Sequence, residues 1–439
     1  MPSPGTQHAV AVVGGATAGA EAAAMLASHG VLVVVFEQNP RPHGKIEDGL
    51  PRWHVKLRKK EYETIHAKLD RPNVHFVPNT KIGRDIGFRE LVEEWGFSAV
   101  VLAHGAWHDR PLDVPGADQY VGKGLVYQND FIYWFNHYPE RGYDGPRYDV
   151  VDGAIVVGGG LASIDVMKVL QIELVREALA ERGIDENELD IEAQGIPATL
   201  DEHGLAWDDL GLAGATLYYR RRIEDMPLAE MPEDADDEKR HKTETLRRRI
   251  LEKATQKYCF RARPQRMPVG LLTDGDRLVG LRFQRTRVED GSVSPIPDAF
   301  EDVRAPLVVS SIGSVPEPMH GIAQDGLLYH YVDRELGRVG NYEHVFSTGN
   351  VVTGKGNILE SRKHSRAVAG HVVEQYLGVA GSPETAAQHE LATMVESKKP
   401  LSAKAVEKLV ARVRARQEAV GYTASYKEWI ARVTPPDLA

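Results

Sequence analysis

The 439-residue chain has a single cysteine, Cys259. One thiol excludes an internal disulfide framework, a Cys-x-x-Cys redox pair and a cysteine-ligated iron–sulfur cluster held by this chain alone. Cys259 is expected to be a packed thiol and not a nucleophile. Excess basic charge is also missing. The 53 Lys and Arg against 63 Asp and Glu leave a net charge of −10, which argues against general nucleic-acid binding. Long apolar runs are absent too: stretches such as Val31–Phe36 are strand-sized, far short of the ~18 residues of a membrane span. Met1–His8 lacks a charged segment followed by an apolar one, so no secretory leader is read and the expected compartment is the cytoplasm. No metal site is read. With 42% hydrophobic and 26% charged residues, the chain reads as globular, with two or three domains at roughly 100–200 residues each.

What the chain has is glycine, 41 in all, placed at informative points. Ala9–Val13 is a buried-strand run, Gly14–Gly19 a tight turn, Ala20–Ser28 an Ala-, Leu- and Met-rich helix ending at Gly30, and Val31–Phe36 a second apolar run. Continuous rather than alternating apolarity marks strands covered on both faces, as in a parallel sheet. The order repeats: strand Ala154–Val157, turn Gly158–Gly160, helix Ala162–Leu170, partner strand Ala215–Tyr219. Two βαβ units predict an α/β fold with two Rossmann-like dinucleotide-binding domains. The acidic stretch between helix and partner strand, 171–214, reads as an extended helix followed by an inserted surface loop. Further strand-like runs are Leu307–Ile312 and His344–Phe346, the latter leading into Ser347-Thr348-Gly349-Asn350. From Ser382 the chain reads as mostly helical, with Val406, Leu409, Val410 and Val413 at helical spacing.

The first turn, Gly14-Gly15-Ala16-Thr17-Ala18-Gly19, fits G-x-A-x-x-G. Gly14 makes the sharp turn and Gly19 allows close helix–strand packing. The helix N-terminus offers amides and a positive dipole end to a pyrophosphate. Glu37, ending the second strand, is placed to bind ribose hydroxyls. The second turn, Gly158-Gly159-Gly160-Leu161-Ala162-Ser163, has no such acid. Its partner strand ends in Tyr219-Arg220-Arg221-Arg222, and guanidiniums bind a ribose 2′-phosphate where a carboxylate would repel it. One Glu-type and one Arg-type site together imply FAD and NADP, with electrons passing from NADPH to flavin. Without a cysteine pair they must leave to an external acceptor.

The motifs resemble those of the adrenodoxin reductase type of ferredoxin–NADP reductase, and more distantly those of the glutamate synthase small subunit, over nearly the whole chain. His43-Gly44-Lys45-Ile46 and Gly49-Leu50-Pro51-Arg52-Trp53-His54 resemble the family's flavin-contacting loop. Ile82-Gly83-Arg84-Asp85 resembles its V-G-R-D, whose first residue lies on FAD. Ala103-His104-Gly105-Ala106 resembles its strand-end Y-G-A. Gly354-Lys355-Gly356-Asn357-Ile358 stands at its G-P-T-G-V-I, where backbone touches flavin and the Gly356 position also nicotinamide. Tyr426-Lys427-Glu428-Trp429 resembles its C-terminal tryptophan segment. The resemblance implies an FAD domain split into 1–116 and 318–439, with an NADP domain, 117–317, inserted. It implies NADPH-dependent reduction of a ferredoxin-like one-electron carrier, with His54 and Asp165 as candidates for redox tuning near the flavin and nicotinamide. An electron-input subunit of the glutamate synthase kind and a degenerate flavoprotein serving as redox sensor are the alternatives. The latter is motivated by departures: Ala16 for the middle glycine, Leu161 for an asparagine, Asn350 for tryptophan or aspartate, Lys45 for an apolar residue and Glu47 for an arginine. The basic run Lys239–Lys253, with Arg247, Arg248 and Arg249 in a row, reads either as a solvated helix face or as the docking face for an acidic ferredoxin.

Overall fold

The computed structural model describes residues 8–232, 234–354, 356–379 and 398–435. In chain order β1 (Ala9–Val13) leads into α1 (Thr17–Ser28) and β2 (Leu32–Phe36). Next come α2 (Val55–Leu69), β3 (Val74–Val77), β4 (Ala99–Leu102) and β5 (Leu125–Tyr127), then β6 (Ile155–Gly158), α3 (Leu161–Ala180) and β7 (Thr216–Tyr219). These are followed by α4 (Asp237–Tyr258), β8 (Arg261–Pro264), β9 (Arg266–Asp274), β10 (Arg277–Glu289), β11 (Ser292–Arg304) and β12 (Val308–Ser311). The last elements are β13 (Tyr331–Asp333), β14 (Arg338–Val339), β15 (Val345–Ser347), α5 (Ile358–His371), α6 (Ala403–Ala419) and α7 (Tyr426–Val433).

The chain divides into two units. The first takes residues up to Leu50, Val55–His108 and Ser314 onward; the second takes Pro51–His54 and Asp109–Gly313. In the first unit seven strands form one sheet in the order β13-β14-β15-β4-β1-β2-β3. β1 pairs in parallel with both β2 and β4, because its residues are apolar on both faces. Ala9, Ala11 and Val13 enter one core, Val10 and Val12 the other. Alternating side chains thus serve two layers, the condition for a doubly covered parallel sheet. Val406, Leu409, Val410 and Val413 of α6 fill one of these cores, as their spacing predicts. The part of the helical expectation that falls on 382–397 lies outside the described residues.

The second unit has an all-parallel sheet, β5-β12-β6-β7-β8, and a three-stranded antiparallel sheet, β9-β10-β11. The three long strands of the latter have no counterpart in the sequence reading. Their hairpin turn at Asp290-Gly291, both with positive φ, is the two-residue type that matches strand twist and was a legible signal. The acidic segment corrects another expectation. After α3 it forms the short helices Glu188–Gln194 and Ile196–Glu202 and a tight turn at Trp207–Leu210, not a loop. Ile191, Ile196, Leu200 and Leu210 are buried in the unit's core, while Asp185, Asp190, Asp201, Glu202, Asp208 and Asp209 are exposed and Glu186, Glu188 and Glu192 are half-buried. Cys259 ends α4 in the left-handed conformation, half-buried, its thiol pushed up to about 11 by desolvation. No helix among the described residues is long and apolar enough to cross a membrane, and no group of metal-ligating residues is found among them.

Both βαβ turns leave no room for side chains at particular glycines. A Cβ on Gly19 would lie 1.8 Å from the Gly14 carbonyl oxygen, and one on Gly158 2.3 Å from the Ser311 carbonyl oxygen. A Cβ on Gly160 would meet nothing nearer than 4.0 Å. Overpacking costs about 1–3 kcal/mol or more. We therefore expect Gly19→Ala and Gly158→Ala to lower thermal stability clearly, and Gly160→Ala to leave the melting curve nearly unchanged.

Candidate functional site

In each main sheet the strand order reverses beside the first strand of a βαβ unit. Ligand crevices of open α/β sheets form at the carboxyl ends of strands at such a point. In the first unit it lies between β1 and β4. Gly14 (φ +99°) follows β1, and a Cβ there would fall 2.7 Å from the Ala103 carbonyl oxygen just after β4. Gly15 donates its N–H to Glu37 Oε2 at 2.8 Å, and Asn39 donates to Glu37 Oε1 at 2.9 Å. Both carboxylate oxygens are thereby fixed at the end of β2. Glu37 is buried, and desolvation raises its pKa to about 7 against the opposing pull of those amides.

The structure brings several other expected residues to this turn. Ala16 precedes α1 and its methyl is accommodated by Gly44, whose own Cβ would come within 2.8 Å of it. Replacing the middle glycine by Ala16 is thus matched by a glycine opposite. A Cβ on Gly349 would come within 2.6 Å of the Ala18 methyl, so this loop also closes on the turn. Lys45 Nζ donates to Ser314 Oγ at 3.0 Å and lies 5.7 Å from the centre of the Trp107 ring. Glu47, the other charged departure in this segment, is buried and paired with Arg41 and with His43 Nδ1 at 2.8 Å, which hold its carboxyl down near 2.

Other expected residues have mainly local tasks. Ile82 is core, 3% exposed, so its side chain is spent on packing. Asn350 accepts from the Gly356 N–H at 2.9 Å, closing the loop before α5. Asn357 caps α5 by accepting from the Leu359 N–H at 2.8 Å and the Glu360 N–H, and Ile358 begins that helix. Lys355 lies outside the described residues.

In the second unit the reversal lies between β6 and β12. Gly158 is pressed by Ser163 Oγ and the Ser311 carbonyl, and Ser163 donates to that carbonyl at 3.0 Å. The Tyr219 ring covers Gly159, where a Cβ would meet it at 2.3 Å. In the sequence Tyr219 is legible only as a strand end, and this contact of its ring with Gly159 is not. Gly160 leads into α3, whose first residues, Leu161 and Ala162, are exposed.

The three arginines after β7 differ. Arg222 pairs with Asp225 at 2.9 Å, and Arg221 Nη1 donates to the Gly291 carbonyl at 3.0 Å. Arg220 is exposed, and its backbone carbonyl, not its guanidinium, accepts from Thr286 Oγ1.

His54 belongs to the second unit, not to the first as its loop suggested, and its Nε2 lies 3.7 Å from Asp165 Oδ1. The structure therefore brings the two candidates together. Asp165 is also 3.5 Å from Lys168 Nζ.

The basic run needs a correction as a uniform charged face. Arg247 is half-buried and donates to the carbonyls of Ala229 and Glu224, both at 2.9 Å. Arg248 pairs with Glu224. Arg249 is exposed.

A sequence profile of the pyridine nucleotide-disulphide oxidoreductase family matches residues 8–172. The chain is 26% identical over 393 residues to the mitochondrial NADPH:adrenodoxin oxidoreductase of Rattus norvegicus, covering 81% of this chain and 75% of that protein. It is 27% identical over 394 residues to the glutamate synthase (NADPH) small chain of Halomonas elongata, covering 85% and 69%. Mycobacterium tuberculosis FprA, solved in complex with NADPH, shares the fold with a TM-score of 0.66 at 18% identity, over 94% of this chain and 90% of that one. The resemblance read from the motifs is borne out, and with it the α/β fold class, the oxidoreductase character and the FAD and NADP pair.

Glu37 generates a pH prediction. Ribose hydroxyls donate to a carboxylate, so binding favours the ionised form of a group that is half protonated near pH 7. Were FAD to place a ribose on Glu37, its uptake would release a proton below that pH. Affinity for FAD should rise with pH up to about 7 and then level off. Glu37→Gln should flatten this profile and weaken binding roughly tenfold to 100-fold, as loss of charge-assisted hydrogen bonds does. Flavin fluorescence titrations of the apoprotein across pH check both.

Proposed function

We propose, from the premise that this chain belongs with the adrenodoxin reductase-type flavoproteins and their glutamate synthase small-chain relatives, that it carries electrons from NADPH through FAD to a ferredoxin-like one-electron carrier. The observation that supports this best is the asymmetry of the two crevices. One has a buried carboxylate tied by two backbone amides beside its glycine turn. The other has arginines after its partner strand and no acid.

The residues present fit FAD in the first unit. Gly14, Gly15 and Gly19 let the turn pack against Ala103, Pro42 and the Gly14 carbonyl, and the N-terminus of α1 that this turn presents would face a pyrophosphate. Glu37 would hold the adenosine ribose, and the segments at Gly44–Lys45, Ile82, Gly349–Asn350 and Gly356–Ile358 would line the remainder. Bound FAD takes two electrons from NADPH and passes them on singly.

In the second unit the Gly158–Ala162 turn would cradle the NADPH pyrophosphate, and Arg220 with Arg221 would hold the 2′-phosphate. Arg220 is the less engaged of the two, since Arg221 donates to the Gly291 carbonyl; Arg222 is held by Asp225. His54 and Asp165 would act as a pair, since the imidazole Nε2 and the carboxylate Oδ1 stand 3.7 Å apart. Arg248 and Arg249, exposed on α4, would steer an acidic carrier; Arg247 supports the loop instead.

Two measurements test this reading. Arg220→Ala should weaken NADPH use by roughly tenfold or more and leave NADH use nearly unchanged. Equal losses for both would make the arginine structural. Reduction of a ferredoxin, followed through a cytochrome, should slow as salt rises from 0.01 to 0.15 M, because the screening length falls from about 30 to about 8 Å. Charge reversal at Arg248 and Arg249 should flatten that dependence and spare the bleaching of flavin by NADPH. Stable co-purification with a large partner enzyme would favour the glutamate synthase kind of electron-input subunit instead.

A further inference from the structure

His104 directly follows the Ala103 that ends at the β1–β4 crevice. Its Cα lies 2.9 Å from the position a Cβ on Gly14 would take. Its ring is locked by a partner far away in sequence. Tyr329 donates its one hydroxyl proton to the Glu317 carbonyl at 2.7 Å. The Tyr329 oxygen can therefore only accept from His104 Nε2, 3.0 Å away. This makes Nε2 the protonated nitrogen of a neutral ring and leaves Nδ1 a bare acceptor. Nδ1 is buried and has no hydrogen-bond partner among the described residues. Desolvation keeps the ring neutral by pushing its pKa down to about 4, with the Glu317 carboxylate opposing and Lys81 assisting. A buried acceptor without a donor is rare in folded proteins and asks for an explanation.

The sheet order supplies one. Across β2-β1-β4 stand Glu37 at the end of β2, the glycine turn after β1 and His104 after β4. A dinucleotide laid along this edge would put its ribose on Glu37 and its pyrophosphate on the turn. The pyrophosphate has no donors. The next part of FAD on the β4 side is the ribityl chain, which is rich in hydroxyl donors. We infer that His104 Nδ1 accepts a hydrogen bond from a ribityl hydroxyl of FAD and so determines affinity for the flavin half of the cofactor. The inference rests on the proposed placement of FAD in this unit.

The test titrates apoprotein with FAD and with analogues each lacking one ribityl hydroxyl, alongside thermal melts of the apoprotein. Wild-type protein should bind one analogue about tenfold more weakly than FAD, the loss expected for one hydrogen bond. His104→Leu should bind FAD about tenfold more weakly and lose that discrimination, while its apoprotein melts no lower than wild type. If the variant does not fold, the wild-type analogue series decides alone. Equal affinity of wild type for FAD and every analogue overturns the assignment of His104. Equal weakening of all ligands in His104→Leu, with a lower apoprotein melting point, also overturns it, because it makes the residue structural. A wild-type protein that takes up no FAD overturns the proposed function itself, and this inference with it.

Discussion

The whole arrangement depends on backbone meeting backbone at the end of a buried strand. A chain that leaves a parallel strand and turns at once into a helix passes within van der Waals contact of the neighbouring strand's carbonyls. Side chains cannot be fitted there. Gly14 against Ala103 and Gly158 against Ser311 are the same contact made twice. Each brings a helix N-terminus, with its free amides, to the edge of its sheet. The glycines are thus a packing necessity, and the helix N-terminus that they bring to the sheet edge is what a pyrophosphate would use. In the first unit the requirement spreads outward: Gly44 makes room for Ala16, and Gly349 for Ala18.

Charge then distinguishes two turns that sterics make alike. Glu37 is buried where its carboxylate is expensive, and backbone amides, Gly15 and Asn39 foremost, offset part of that cost. A group held near its midpoint in this way responds to whatever donors arrive. The arginines of the second unit are exposed or half-buried, so their charge is cheap to maintain. The burial of one and the solvation of the other suit a ribose hydroxyl pair and a ribose phosphate respectively.

The parts of this fold that were legible in the sequence are those governed by local rules. Continuous apolar runs around glycines predicted both βαβ units, because a doubly covered strand leaves no polar alternation. The long antiparallel strands from Arg266 to Arg304 are hard to read because β11 is largely exposed, β9 is half-buried and all three carry charges, although the Asp290-Gly291 turn announced a hairpin. The segment after α3 looked like a loop because acids are interspersed throughout its apolar residues. Ile191, Ile196 and Leu200 are nevertheless enough to pin two short helices to the core. Arg247 looked like a surface charge, yet its stem and fork are spent on a nearby loop. The His104–Tyr329 bond could not be read at all, since it joins residues separated by 225 positions through tertiary packing.

The central claim is that two differently charged glycine turns serve two different dinucleotides in one electron path. The most direct test is an anaerobic titration of FAD-reconstituted protein with NADPH, followed by visible absorbance. The account predicts one FAD bound per chain and bleaching complete at one equivalent of NADPH, with NADH far less effective. A protein that binds no flavin, or binds flavin that NADPH cannot bleach, would contradict it.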